Sequence, residues 1–234
     1  MTDQPTAIVT AAGHGLGEGI ARHLASRGYR LLLTSNGGGA EALARELGCL
    51  SLRGSVTDPA HLAAAAERAV SAWGRIDAVV NNTGHPAQGA LLEIGDDAWH
   101  DGLDLLLLNV VRMARLVTPV MARQGGGAIV NISTYVAEQP DLTFPVSSCL
   151  RGALSAWVKL YADAHGRDGI RMNNVLPGAF ANYAITPERL ERIPLRRQGQ
   201  MHELGRVVAF LLSPEAGYVT GQNIRVDGGL GRAL

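Results

Sequence analysis

Ala7-Ile8-Val9-Thr10-Ala11-Ala12-Gly13-His14-Gly15-Leu16-Gly17 passes from a short apolar run into three glycines at alternate positions. Ile20-Ala21 and Leu24-Ala25 follow at helical spacing. The order is strand, glycine turn, helix. A turn of this kind brings backbone N–H groups at a helix N-terminus close to a pyrophosphate. The other reading of the stretch, and the less favoured one, is a tight turn without a ligand.

The same alternation continues outward. Tyr29–Thr34, Leu50–Leu52, Ala78–Val80, Ala128–Ile132, Ile170–Leu176 and Asn223–Val226 read as further strands. Ala40–Leu47, Asp58–Trp73, Trp99–Arg123, Val146–His165 and Met201–Leu212 read as helices. Seven β-runs separated by helices predict an α/β fold, a doubly wound parallel sheet, because parallel neighbours need helical crossovers. No linker composition divides the chain, so residues 1–234 are expected to form a single domain. Ligands of such sheets lie beyond the carboxyl ends of the strands.

Composition narrows the function classes. Glycine contributes 29 of 234 residues, above the usual ~7%, and falls at the ends of apolar runs rather than in linkers. The 21 basic and 21 acidic side chains cancel, which leaves no electrostatic footprint for nucleic acid or an anionic membrane. Apolar residues make up 47% of the chain and charged residues 18%, as expected for covered strands plus a subunit interface. Cys49 and Cys149 have no metal-ligand spacing, so reduced thiols and no metal site are expected, with Cys149 as small core packing. Met1 to Thr6 is short and polar, without a signal-peptide pattern. The longest apolar stretch, Leu105–Val111, is interrupted by Asn109 and falls short of the ~18 residues that span a bilayer. A soluble, cytoplasmic protein is the expectation.

The glycine turn, Gly74-Arg75-Ile76-Asp77-Ala78-Val79-Val80-Asn81-Asn82-Thr83-Gly84, Gly127–Ser133, Gly169–Asn173, Pro177-Gly178, Ile193-Pro194-Leu195, Tyr218–Gln222 and Val226-Asp227-Gly228-Gly229 occur in one order along the chain. In these anchors the sequence resembles the short-chain dehydrogenase/reductase family. The resemblance implies a Rossmann-type fold with NADP or NAD as cofactor. It implies cofactor contacts from Thr10, Gly13, His14, Gly15, Leu16, Gly17, Ser35, Asn36, Ser55, Val56, Asn82, Thr83, Gly84, Arg151, Pro177 and Gly178. Ala11 stands where the family has glycine, which is tolerable if its backbone dihedrals are negative. Ser35 and Asn36 end the second strand without the acid that would repel a 2′-phosphate, which favours NADP weakly in the absence of a visible arginine clamp. Ser55 replaces the family's adenine-contacting Asp.

The family's catalytic Asn, Ser, Tyr and Lys are placed by register. They fall on Leu106, Thr134, Ser147 and Arg151, with Asn109 nearby. A serine hydroxyl is a far weaker acid than a phenol, and leucine holds no water. Tyr135 and His85 are the alternative proton donors, and Glu138 and Tyr183 further candidates at the mouth of the site. The expected activity is NAD(P)(H)-dependent oxidoreduction of a small-molecule carbonyl or conjugated alkene by a non-standard site. The alternative is a cofactor-binding protein that is non-redox or inactive. Residues 179–200 form a short lid, and by resemblance the two long helices imply a homotetramer or homodimer.

Overall fold

The computed structural model describes residues 4–232; Met1–Asp3 of the polar N-terminal stretch and residues 233–234 lie outside the described residues. The elements run β1 (Thr6–Val9), α1 (Gly15–Ser26), β2 (Arg30–Ser35), α2 (Gly39–Leu47), β3 (Leu50–Arg53), α3 (Pro59–Trp73) and β4 (Ala78–Asn81). They continue with α4 (Asp96–Leu103), α5 (Asn109–Arg123), β5 (Gly127–Ile132), α6 (Pro145–His165), β6 (Ile170–Pro177), α7 (Pro187–Glu191), α8 (Met201–Leu212) and β7 (Asn223–Val226). The strands form one sheet in the order β3-β2-β1-β4-β5-β6-β7, and every neighbouring pair is parallel. The order reverses between β1 and β4, which opens a crevice at the carboxyl edge there.

Strand residues alternate between two cores. Ala7, Val9, Leu31 and Leu33 meet α1, α2 and α8 on one face, while Ile8, Leu32, Val79 and Ile129 meet α3, α5 and α6 on the other. Both faces are covered, so the strands are apolar throughout, as parallel sheets require.

The long helix expected over Trp99–Arg123 is interrupted. A single π-helical turn, Asp104–Leu108, joins α4 to α5, and such turns recur at functional sites. Asp96–Arg123 as a whole is 28 residues long and long and apolar enough to cross a membrane, which the count of uninterrupted apolar residues missed. Leu106, Val110, Met113, Val117 and Met121 of this run are buried in the core. Cys149, expected in the core, is exposed.

At the carboxyl half of the sheet the core turns polar. Asn81, Asn131, Asn174 and Asn223 are register neighbours on four adjacent strands. Asn81 donates to Asn131 at 2.9 Å, Asn131 to Asn174 at 3.0 Å, and Asn174 to Asn223 at 2.8 Å. Asn223 ends the chain of amides on Glu138 at 3.1 Å, and Arg225 closes on the same carboxylate at 2.6 Å. Glu138 thus anchors the loop after β5 to β7.

Candidate active site

The residues beyond β1 to β6 surround one cavity of about 720 Å³. At one end lies the glycine turn. His14 is the N-cap of α1 in an extended conformation and makes no side-chain cap, so the first N–H groups of α1 are left for a ligand. Thr10 Oγ1 donates to the Asn82 carbonyl at 2.6 Å and accepts from the Asn82 N–H at 2.9 Å, tying the ends of β1 and β4.

Ala11 departs from expectation: its φ is 46°, in the left-handed region. The cause is tertiary. Its carbonyl accepts from Asn82 Nδ2 at 3.1 Å, and a Cβ on Gly17 would come within 2.2 Å of the same oxygen. The turn therefore takes one conformation with alanine or glycine in it.

The other end of the cavity is built by α6 and the loop after β5. Pro145 opens α6 at a position where its missing N–H does no harm. Ser147 and Arg151, one turn apart, then share the helix face that lines the cavity with Thr134 and Tyr135. Arg151 is only 6% exposed. Its Nε has no hydrogen-bond partner, and among the described residues no carboxylate pairs with the side chain. Burial pulls its pKa down to about 10, so it remains charged at neutral pH. Two more buried polar atoms on the same wall, Thr83 Oγ1 and Ser133 Oγ, also lack partners. Burial pushes the Tyr135 phenol up, which keeps it protonated at neutral pH.

Gly13, His14, Gly15, Leu16, Ser35, Asn36, Ser55, Val56, Asn82, Thr83, Gly84, His85, Pro177 and Gly178 line the cavity with the α6 residues. Thr10 and Gly17 do not: both are buried behind the wall and shape it. Leu106, at the register of the asparagine, is wholly buried, while Leu105 faces the cavity. Asn109 is also buried, with Oδ1 unpartnered, and does not line the cavity. Tyr183 lines it, whereas Glu138 is engaged with Asn223 and Arg225.

Several residues escaped sequence reasoning. Phe144, Phe180, Asn182 and Arg189 also line the cavity, the last three from the 179–200 lid, which contains α7, whose signal was the Thr186 cap ahead of Pro187. Arg53, which does not itself line the cavity, donates from Nε to the Asn36 carbonyl at 3.1 Å. Among the described residues, no three His, Cys, Asp or Glu side chains group as a metal site.

A family model described as Enoyl-(Acyl carrier protein) reductase matches residues 10–231. Oxidoreductase UcpA of Escherichia coli (strain K12) is 33% identical over 252 residues, covering 96% of this chain and 93% of the relative. The 3-oxoacyl-[acyl-carrier-protein] reductase FabG of the same organism is 31% identical over 234 residues, covering 96% of both. Among solved structures, a 7 alpha-hydroxysteroid dehydrogenase complexed with NADH and 7-oxo glycochenodeoxycholic acid superposes with a TM-score of 0.91 at 29% identity, covering 99% of this chain and 96% of that one. L-sorbose reductase from Gluconobacter frateurii, complexed with NADPH and L-sorbose, gives 0.89 at 27% identity, covering 99% and 98%. By the family model that spans nearly the whole chain and by these relatives, the chain belongs to the short-chain dehydrogenase/reductase family.

Proposed function

We propose that the protein is an NADP(H)-preferring oxidoreductase acting on a carbonyl or conjugated alkene through a rebuilt active site. The observation that carries this reading is one cavity joining the uncapped N-terminus of α1 to three unpartnered buried polar atoms, on Thr83, Ser133 and Arg151. Buried polar groups are rarely left unsatisfied unless a ligand or water completes them. The solved relatives that hold NADH and NADPH support a nicotinamide cofactor.

The cradle fits such a cofactor. Gly13, His14, Gly15 and Leu16 would hold the pyrophosphate on the α1 N–H groups, Ser55 and Val56 the adenine, and Pro177, Gly178 and Asn182 the far wall. Arg53, beside Asn36 and the Gly37–Gly39 turn, would pair with a 2′-phosphate. When bound, the nicotinamide supplies or accepts a hydride. Thr134 and Ser147 offer hydroxyls to hold the substrate oxygen, in the register of the family's Ser and Tyr. Arg151 stands in the register of the Lys and keeps its proton, so it orients rather than relays. Tyr135, protonated and on the cavity wall, is the proton donor this reading favours, with His85 the second candidate.

Leu106 favours a second reading. A leucine wholly buried at the asparagine position cannot hold a relay water, and a fold that binds cofactor without redox turnover is the alternative. Fluorescence titration with NADPH and NADH, then a panel of ketones and enoyl thioesters, separates the two. NADPH binding at least 10-fold tighter than NADH, abolished in Arg53→Glu, with turnover of a panel member, is the expected result. NADPH binding without any turnover supports the alternative, and no binding of either nucleotide overturns both.

A further inference from the structure

Aromatic side chains make up only 5% of this chain, and its interior is built almost without them. Among the described residues, Tyr161 and Phe180 are the two rings of the buried hydrophobic core, and the rest of it is Ala, Val, Leu, Ile and Met. Four rings nevertheless line the one cavity: Tyr135, Phe144, Phe180 and Tyr183. Phe180 belongs to the core, wedged where a Cβ on Gly199 would come within 2.6 Å of its ring. The other three stand on separate segments, the loop after β5, the start of α6 and the lid.

Each of these rings is held from its own segment and still reaches the cavity. Tyr135 packs against the small cluster of Ala179, Ile193 and Leu230 beneath the lid. Phe144 donates its N–H to the Asp141 carbonyl at 2.9 Å, and its carbonyl accepts from the Ser148 N–H at 2.8 Å. Tyr183 has the Arg189 guanidinium 5.8 Å from its ring centre, yet the residue is 42% exposed. The rings adjoin the two hydroxyls of the site. Tyr135 follows Thr134 directly, and Phe144 lies one helical turn ahead of Ser147. An alkyl chain would need no more than the aliphatic side chains used everywhere else in this protein. A flat ring gains from ring neighbours, since aromatic pairs contribute about 2–12-fold in affinity beyond their buried area.

We propose that this end of the cavity takes an aromatic ring and that the substrate is an aryl ketone or aryl enone. Its oxygen lies on Thr134 and Ser147, and its ring lies among Tyr135, Phe144 and Tyr183. That the ligand is a substrate rests on the oxidoreductase reading above, but the ring site itself is testable without turnover.

Chemical-shift titration of the full chain by NMR, with and without saturating NADPH, is the experiment. Acetophenone is paired with cyclohexyl methyl ketone, and benzylideneacetone with its cyclohexyl analogue. Each pair shares a carbon skeleton and differs in the aromaticity of the ring; L-sorbose is the polyol probe. The saturated ring is at least as apolar as the aromatic one, so burial alone gives the aryl compound no advantage. At least one aryl compound binds more tightly than its saturated partner, by about 2–12-fold per ring contact. Phe144→Leu and Tyr183→Leu each keep an apolar side chain, remove a ring and bring that ratio towards one. Circular dichroism checks the fold of each variant, and should neither fold, the paired probes on the unaltered protein decide. Equal or tighter binding of the saturated partners, an undiminished ratio in both folded variants, tighter binding of L-sorbose, or no binding by any probe overturns the proposal. An aryl preference without reduction of either aryl compound by NADPH upholds the ring site and counts against the oxidoreductase reading. If NADPH does not bind, that reading fails, while titration of the cofactor-free protein still decides the ring site.

Discussion

Replacing Ala11 with glycine should make the protein more stable, because the glycine turn holds this residue at φ 46°. Left-handed backbone costs an L-residue roughly 1–2 kcal/mol. Glycine removes that strain but adds unfolded-state entropy worth about 0.4–1 kcal/mol. The net expectation is about 1 kcal/mol in favour of Ala11→Gly, or roughly 2–4 °C in melting temperature for a chain of this size. The conformation is not negotiable, since Asn82 holds the Ala11 carbonyl at 3.1 Å and Gly17 leaves that oxygen no room for a Cβ. Gly17→Ala is therefore the matched opposite: its methyl would sit 2.2 Å from the Ala11 oxygen, and the turn must open or the protein unfold. Urea titrations followed by circular dichroism at one pH measure both variants. An Ala11→Gly protein less stable than its parent, or a Gly17→Ala protein as stable, would refute the geometry. Since the same turn aims the first N–H groups of α1 at the cavity, NADPH affinity should hold or rise in Ala11→Gly and collapse in Gly17→Ala.

Asn131 is wholly buried and bonds an amide on each side; Asn131→Ala orphans both partners and should cost about 2–6 kcal/mol, at ~1–3 kcal/mol per unsatisfied group, read by urea unfolding. Burial lowers the pKa of His61, packed against Gly54 with Nε2 unpartnered. Its contribution to stability is therefore full above its unfolded value near 6.5 and lost as pH falls through its lower folded value; urea midpoints at pH 7.5 and 5.5 should differ less in His61→Gln than in the parent. The double variant Ser147→Tyr/Arg151→Lys restores a phenol and a neutralisable amine in the family register, and steady-state rates on the ketone panel should rise by about 10²–10⁴, the usual worth of a positioned general acid. A folded double variant with no gain would count against the register that places Ser147 and Arg151.

The parts of this fold that were legible in the sequence are those in which a residue's own preference and its neighbours agree. Apolar runs and glycine punctuation placed all seven strands within a residue or so of their ends, because a parallel sheet covered on both faces leaves few other readings. Elsewhere the deciding term came from distant residues. The π turn at Asp104–Leu108 shifts helical periodicity by a single residue, too little to break the pattern, yet it turns Leu105 rather than Leu106 to the cavity. Ala11 argues for negative φ by type, and is overruled by Asn82 and Gly17. Arg53 becomes a neighbour of Ser35 and Asn36 only through the β2–β3 register, in which Ser35 faces Arg53, and nothing local encodes that pairing. Glu138 is read from the sequence as a residue at the mouth of the site, but Asn223 and Arg225, more than eighty positions on, make it an anchor. Arg151 carries the contrast furthest. Its identity was readable, and so was its place on the helix. What sets its chemistry is that the segments closing around it, from six strand ends and the lid, bring hydroxyls, amides and rings but, among the described residues, no carboxylate. An unpaired charge is a property of the enclosure, so it emerges only when every wall is in place.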